Sequence, residues 1–317
     1  MQILNSLPSL KHLGLSSCGL NYSHISNGAV NSTHLATLQL LDLSNNWFFG
    51  VPIPIVLRNM TSLRSLILWE PILNHRFWNG NTCELKTLDI SDIDLGDKKL
   101  RKELPGNLPG CFGHALETLD LGYNNIGGAL PQWLVDLKYP KDLHLHDNAF
   151  FGPIPSSLRK LSNLRILDVS NNLLEGITSE TGLGNLSFLK ELSISHTNLK
   201  VELNSNWTPP FQLKRIEMAA TKIGPQFPRW LQTQQQVTKL DLSNNSLSGV
   251  IRNWILHMHL ITDLKLSSNQ ITGLLKNIVD SMPNMEILRL NDNLINGSIP
   301  TSLCNTQFLK ILDFVKK

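Results

Sequence analysis

No apolar run in this sequence approaches the ~20 residues that a membrane-spanning helix requires, and no basic start leads into an apolar stretch that would read as a signal peptide. Charge of one sign is lacking too. The 28 Lys+Arg residues nearly offset 25 Asp+Glu, and a net charge of +3 over 317 residues argues against a nucleic-acid binder held by phosphate contacts. Only four cysteines occur, at positions 18, 83, 111 and 304, with no C-x-x-C, which argues against a cysteine zinc site. The sequence has no G-x-G-x-x-G, Walker loop, H-E-x-x-H, G-x-S-x-G, H-R-D or D-F-G. Carboxylates on an open surface lack the burial that would raise one pKa for acid–base work. We therefore expect neither an enzyme nor a cofactor. Hydrophobic residues make up 41%, enough for a core and too many for a disordered chain.

What is present in excess is leucine (59) and asparagine (31), more than a quarter of the chain together. The template L-x-x-L-x-L-x-x-N-x-L fits with first positions at Leu10, Leu38, Leu63, Leu85, Leu116, Pro140, Leu164, Leu189, Leu213, Val237, Ile261, Met285 and Leu309. The spacing settles at 24 or 25 from Leu116 onward, after 28, 25, 22 and 31. A period near 24 with this pattern predicts a single leucine-rich repeat solenoid over 1–317, about twelve complete units and a truncated thirteenth.

One unit shows the physics. In Leu164–Leu174 the buried candidates Leu167 and Val169 alternate with Ile166, Asp168 and Ser170, the period-two signal of a strand with one buried face. Asn172 follows where the chain leaves the strand, and its amide can satisfy turn backbone groups. Stacked coils ~4.8 Å apart then form a parallel sheet with an asparagine ladder. Beyond it, Gly152-Pro153-Ile154-Pro155 and Gly297-Ser298-Ile299-Pro300 turn the chain and end hydrogen bonding. The expected fold is an α/β solenoid: a superhelix with a parallel sheet on its concave face and an irregular or short-helical convex side.

The L-x-G-x-I-P variant resembles the plant extracellular leucine-rich repeat class. Asn206-Trp207-Thr208-Pro209-Pro210-Phe211-Gln212-Leu213 and Gly224-Pro225-Gln226-Phe227-Pro228-Arg229-Trp230-Leu231 look more narrowly like plant receptor-like proteins, cell-surface immune receptors without a kinase domain. That resemblance implies a leader, terminal caps, an island domain and a membrane helix. None is visible here, so the chain is expected to be an internal piece of a longer ectodomain or a truncated product. It also implies residence at the extracellular face of the plasma membrane, a protein, peptide or glycan elicitor as partner, and a co-receptor kinase for the full-length protein. A secreted inhibitor of a microbial cell-wall enzyme, similar to plant polygalacturonase inhibitors, is the alternative.

Sequons at Asn21, Asn31, Asn59, Asn185, Asn206, Asn244 and Asn296 favour a secreted or cell-surface route. Cys83 and Cys111 flank the one long insertion, so a disulfide between them is attractive, although sequence alone does not fix connectivity.

Candidate ligand-binding residues are those that break the consensus on the concave face. His144 and His146 share a strand face, with Asp147 beside them, Asp120 and Tyr123 on one neighbouring strand, Asp168 on the other, and His196 one strand farther. Two imidazoles could face a metal, but no third ligand has motif spacing, so we expect no metal site; partner binding and a solvated patch are the two readings. Ile67 and Trp69 are apolar where the face should be polar. Nearby the ladder fails at Pro71 and Ile93, which predicts an irregular segment near 69–112 that contains the basic run Lys98-Lys99-Leu100-Arg101-Lys102.

Overall fold

A computed structural model describes residues 7–21, 36–46, 60–68, 83–91, 102–104, 106–107, 111, 113–204, 206–274, 282, 284–298, 301, 303 and 306–314. The chain divides into two compact units, 1–151 and 152–317. In the first lie β1 (His12–Gly14), β2 (Leu40–Asp42), β3 (Ser65–Ile67), β4 (Thr87–Asp89), β5 (Lys102–Glu103), β6 (Thr118–Asp120), β7 (Ile126–Ala129), β8 (Asp142–His144) and β9 (Ala149–Gly152). Strands β1, β2, β3, β4, β6 and β8 pair in that order as a parallel sheet. The register stacks Leu41, Leu66, Leu88, Leu119 and Leu143, all buried, into one apolar column.

The second unit repeats the plan with β10 (Ile166–Asp168), β11 (Leu173–Thr178), β12 (Glu191–Ser193), β13 (Asn198–Val201), β14 (Arg215–Glu217), β15 (Lys239–Asp241), β16 (Ser248–Val250), β17 (Asp263–Lys265), β18 (Gln270–Leu274), β19 (Ile287–Arg289), β20 (Leu294–Asn296) and β21 (Ile311–Asp313). Its main sheet runs β10-β12-β14-β15-β17-β19-β21, with Leu167, Leu192, Ile216, Leu240, Leu264 and Leu288 as the buried column. This is a leucine-rich repeat solenoid.

The ladder is a set of interlocking hydrogen bonds. Asn46 donates through Nδ2 to the carbonyls of Leu15 (2.7 Å) and Leu43 (2.9 Å), and its Oδ1 accepts the N–H groups of Cys18 and Leu20. Asn148 donates to Leu121 O at 2.7 Å and accepts from Ile126 N, and Asn245, Asn269 and Asn293 bond likewise to the preceding coil. Thr197 and Thr221 keep part of this, donating to Ile194 O and Met218 O. The residue just before each ladder position is left-handed, with φ between 50 and 57° at Asn45, Tyr123, Asp147, Asn171, His196, Ala220, Asn244, Ser268 and Asp292. Asn and Asp tolerate that conformation best among residues with a side chain.

The outer side holds short helices, as the prolines suggest: 3-10 turns at Gln132–Asp136, Ser156–Lys160 and Arg229–Thr233 follow Pro131, Pro155 and Pro228. It also holds what the sequence reading did not anticipate, a second set of parallel strands. Strands β5, β7 and β9 pair in the first unit; β11 pairs β13, and β16, β18 and β20 pair, in the second. A proline ends donation only at its own position, so the four residues before Pro153 remain free to pair, and Gly152 (φ 77°) turns the chain out of β9. The Trp-Thr-Pro-Pro-Phe and Phe-Pro-Arg-Trp signatures pack as one aromatic group, Trp207 lying 6.0 Å from Phe211 and 6.5 Å from Trp230 between ring centroids.

Cys83 and Cys111 form a disulfide with Cα atoms 5.1 Å apart, tying down both ends of the long insertion. Within the stretch expected to be irregular, β4 stays in sheet register with β3 and β6. Pro71, Ile93 and residues 98–101 of the basic run lie outside the described residues, as do Asn31 and Asn59.

Two substitutions test this account. Asn245→Ala leaves Thr221 N unpaired in a buried corner, at about 1–3 kcal/mol, and takes one of two side-chain donors from Met218 O, which keeps Thr221 Oγ1. The loss in denaturant unfolding should be on the order of 3 kcal/mol, with Asn245→Thr clearly milder because threonine serves natively at 221. Ala220→Asn should stabilise by about 0.5–1 kcal/mol, since an alanine at φ 51° carries left-handed strain that asparagine relieves.

Candidate functional site

On the solvent face the L-D-L-S consensus has a local task. Asp42, Asp89, Asp168 and Asp241 each accept the backbone N–H two residues on, at 2.9–3.1 Å, holding the turn toward the ladder. Ser91 and Ser170 add hydroxyl donors to the same carboxylate oxygens at 2.8 and 2.6 Å. Asp168 is therefore occupied structurally. Asp120 takes the backbone bond from Gly122 at 2.9 Å, but glycine brings no hydroxyl.

Departures from that consensus converge at β6 and β8. The register places Asp120 beside His144 on one side and Asp89 on the other. Ligand atoms of Asp120, His144 and His146 all lie within 4.8 Å of one another. His146 Nδ1 sits 3.0 Å from Asp147 Oδ2, and its ring stands edge-on to Tyr123 at 5.0 Å between centroids. Burial pushes the Asp120 carboxyl above its ordinary value and the Asp89 carboxylate adds to that, against the Gly122 N–H and the two imidazoles, which pull it down. Five of the residues picked from the sequence thus meet here: Asp120, Tyr123, His144, His146 and Asp147. The third potential ligand was missed as such because it comes from 24 residues away, by register rather than by local motif.

The others do not join this group. His196, in the second unit, is exposed and, like Tyr123 and Asp147 of the group itself, occupies the left-handed turn position rather than the strand proper. Ile67 is half-buried on β3, between Asp42 and Asp89 in register. Trp69 lies outside the described residues. The sequons at Asn21, Asn185, Asn206, Asn244 and Asn296 are all exposed.

Sequence reading also passed over a charged lattice in the second unit. Arg215, Glu217, Lys239, Asp241, Asp263 and Lys265 line a shallow depression across β14, β15 and β17. Arg215 bonds Glu217 at 2.7 Å, Lys265 lies 3.6 Å from Asp241, and Lys239 3.7 Å from Asp263. Burial works to lower the Arg215 pKa, but the bond to Glu217 and the charges of Glu191 and Asp168 raise it on balance. The 24-residue alignment of Glu217, Asp241 and Lys265 was the available signal.

In the first unit, Glu117 bridges Lys86 and Lys141, and the hydrogen bonds to Lys141 and then Lys86 hold its carboxyl below the ordinary 4.5. A depressed native pKa gives stability above 4.5 that is lost as pH falls through the native value. Glu117→Gln should therefore lower the unfolding midpoint slightly at pH 7, and the gap to wild type should close as acidification carries the pH through the depressed native value. The pair is partly exposed, so added salt should shrink the effect.

Leucine rich repeat family patterns match residues 235–295 and, in single repeats, 37–60, 115–137 and 163–186. Among curated relatives, Receptor-like protein EIX1 of Solanum lycopersicum is 42% identical over 78 residues, 25% of this chain and 8% of its own length. Receptor-like protein 50 of Arabidopsis thaliana is 35% identical over 133 residues, 42% of this chain and 15% of its own. Receptor-like protein 39 of Arabidopsis thaliana is 31% identical over 271 residues, 77% of this chain and 30% of its own, so the chain spans less than a third of these relatives. The crystal structure of PEPR1–AtPEP1 is similar with a TM-score of 0.67 and 27% identity, covering 89% of this chain and 39% of that one. The Leptospira interrogans protein LIC12759 shares the fold, with a TM-score of 0.74 at 22% identity over 100% of this chain and 81% of its own. By its repeats, its fold and these relatives, the chain is a leucine-rich repeat solenoid of the plant receptor-like protein type.

Proposed function

We propose that the chain is the ligand-recognising part of the extracellular domain of a plant cell-surface receptor-like protein. It engages a protein or peptide through the solvent face of its strands and catalyses no reaction. The observation that carries this reading is where the repeats vary: the buried Leu column and most of the ladder hold to type, while the facing charges of Arg215, Lys239 and Lys265 and the His144–His146 pair do not. A rigid scaffold with a variable surface is suited to recognition rather than chemistry. Perception of an elicitor in defence is the finer form of the proposal, supported by the receptor-like protein names of the relatives and by the AtPEP1 complex of PEPR1. The exposed sequons support residence at the outer face of the plasma membrane. Among the described residues no helix is long and apolar enough to cross a membrane.

Calorimetry of the full chain against synthetic secreted plant peptides and microbial elicitor proteins tests the reading. A ligand found this way should lose at least about tenfold in affinity, roughly 1.4 kcal/mol, on reversal of Arg215, Lys239 and Lys265 to Glu, and binding should weaken with salt. Unchanged affinity in that variant and in His144→Ala/His146→Ala, together with loss in variants of the outer side, would overturn it. Inhibition of a microbial polygalacturonase, with no panel member bound, would support the secreted-inhibitor alternative instead.

A further inference from the structure

We propose that Asp120, His144 and His146 form a binding site for a divalent transition-metal ion of the zinc type on the solvent face of the first unit. Two imidazoles and a carboxylate are a donor set that suits zinc, and water completes the shell where three protein groups ligate. In a tetrahedral shell, metal–ligand lengths of about 2.0–2.2 Å put ligand atoms about 3.3–3.6 Å apart. Here they already fall within 4.8 Å, so small side-chain rotations close the shell.

Two independent features show that the ring positions are arranged. First, Asp147 Oδ2 holds His146 Nδ1 at 3.0 Å. That leaves Nε2 as the nitrogen free to ligate and reproduces the carboxylate–histidine pairing that orients metal-bound imidazoles. Second, Gly122 stands where other repeats carry Ser44, Ser91, Ser170 and Ser243. A Cβ built on Gly122 would come within 2.6 Å of His146 Cε1 and 2.7 Å of its Nε2, so the ring occupies the space that a side chain would fill. The same exchange removes the hydroxyl that binds the Asp carboxylate in the repeats with Ser91 and Ser170, and leaves the Asp120 carboxylate with its single bond from Gly122 N. Glycine thus both seats one ligand and releases another.

The other H-x-H pair provides a control within the same chain. His257 and His259 are exposed beside the helical turn Asn253–Leu256, with ring centroids 6.2 Å apart, close to the 6.3 Å of His144 and His146, and belong to no such ligand group among the described residues.

The experiment titrates the full chain with Zn(II) by calorimetry and with Co(II) by visible absorption, which reports coordination geometry directly. One ion per chain should bind, with d–d bands of an ordered nitrogen–oxygen site. His144→Ala, His146→Ala and Asp120→Asn should abolish it; the asparagine keeps an oxygen to accept Gly122 N, so the turn survives. Asp147→Asn should weaken it about 10–100-fold. Gly122→Ala should displace the ring and abolish binding with the circular dichroism unchanged; if it unfolds, His146→Gln replaces it. His257→Ala/His259→Ala should bind as wild type. Binding that survives His144→Ala/His146→Ala, that vanishes in the His257/His259 variant, or that is absent from the wild type would overturn the proposal.

Discussion

The corner where each coil leaves the main sheet contains backbone carbonyls and N–H groups that are buried and that regular strand pairing cannot reach. An asparagine is suited to this place because one side chain both donates and accepts. Asn269 shows it fully: Nδ2 donates to Leu242 O and Leu266 O, and Oδ1 accepts from Asn245 N and Leu247 N. Since the bonds run to the preceding coil, they join neighbours as well as closing the turn. Buried groups left unpaired here would each cost about as much as a small hydrophobic contact contributes, so the ladder sets the spacing to which the rest of each coil conforms. Extra residues between coils have to be accommodated away from it; the disulfide between Cys83 and Cys111 brackets the longest such spacing.

Fixed register has a second consequence, on the other side of the strands. Residues one repeat apart become neighbours about 4.8 Å away, so any run of substitutions at one template position becomes a column. Asp89, Asp120 and His144 form such a column, as do Glu217, Asp241, Lys265 and Arg289. Like charges are then forced together. Burial and the Asp89 carboxylate raise the pKa of Asp120, whereas Lys265 offsets the pairing of Asp241 with Glu217, and Asp263 faces Lys239 instead of another carboxylate. Electrostatics on this face belongs to columns, not to single residues.

The buried half of this arrangement was legible in the sequence because it depends on local pattern: alternation in Leu167–Ser170 and an asparagine two residues later. The outer strands were not, because Pro153 and Pro155 were read as ending all pairing when they end it only after Gly152. Tyr123, Asp147 and His196 were read as strand-face residues, whereas backbone conformation places them in the left-handed turn. The recurrence of asparagine at 45, 171 and 244 marked that position, but its meaning is conformational and invisible to a polarity pattern. At the candidate site, both histidines were visible as an H-x-H pair. Asp120 as their companion was not counted as a ligand, because local spacing motifs cannot see a neighbour supplied by register.

Gly122 separates a packed surface from a fortuitous one. On a strand margin glycine forfeits side-chain packing and adds unfolded-state entropy, about 0.5–1 kcal/mol against alanine, and Gly122 is not among the positions where a positive φ requires it. Solvation of the face does not call for it either, since Ser170 at the equivalent position is polar and bonds Asp168. What glycine uniquely provides there is volume, and the His146 ring takes that volume. With Asp147 fixing one ring nitrogen, the side chain has few other orientations left. A solvated histidine would need neither constraint. The cost falls on a face where a turn-holding hydrogen bond is worth only about 0.5–1.5 kcal/mol, far below the loss from the buried column. Stability and surface chemistry are therefore set by different side chains of the same strand, which lets one vary while the other stays fixed.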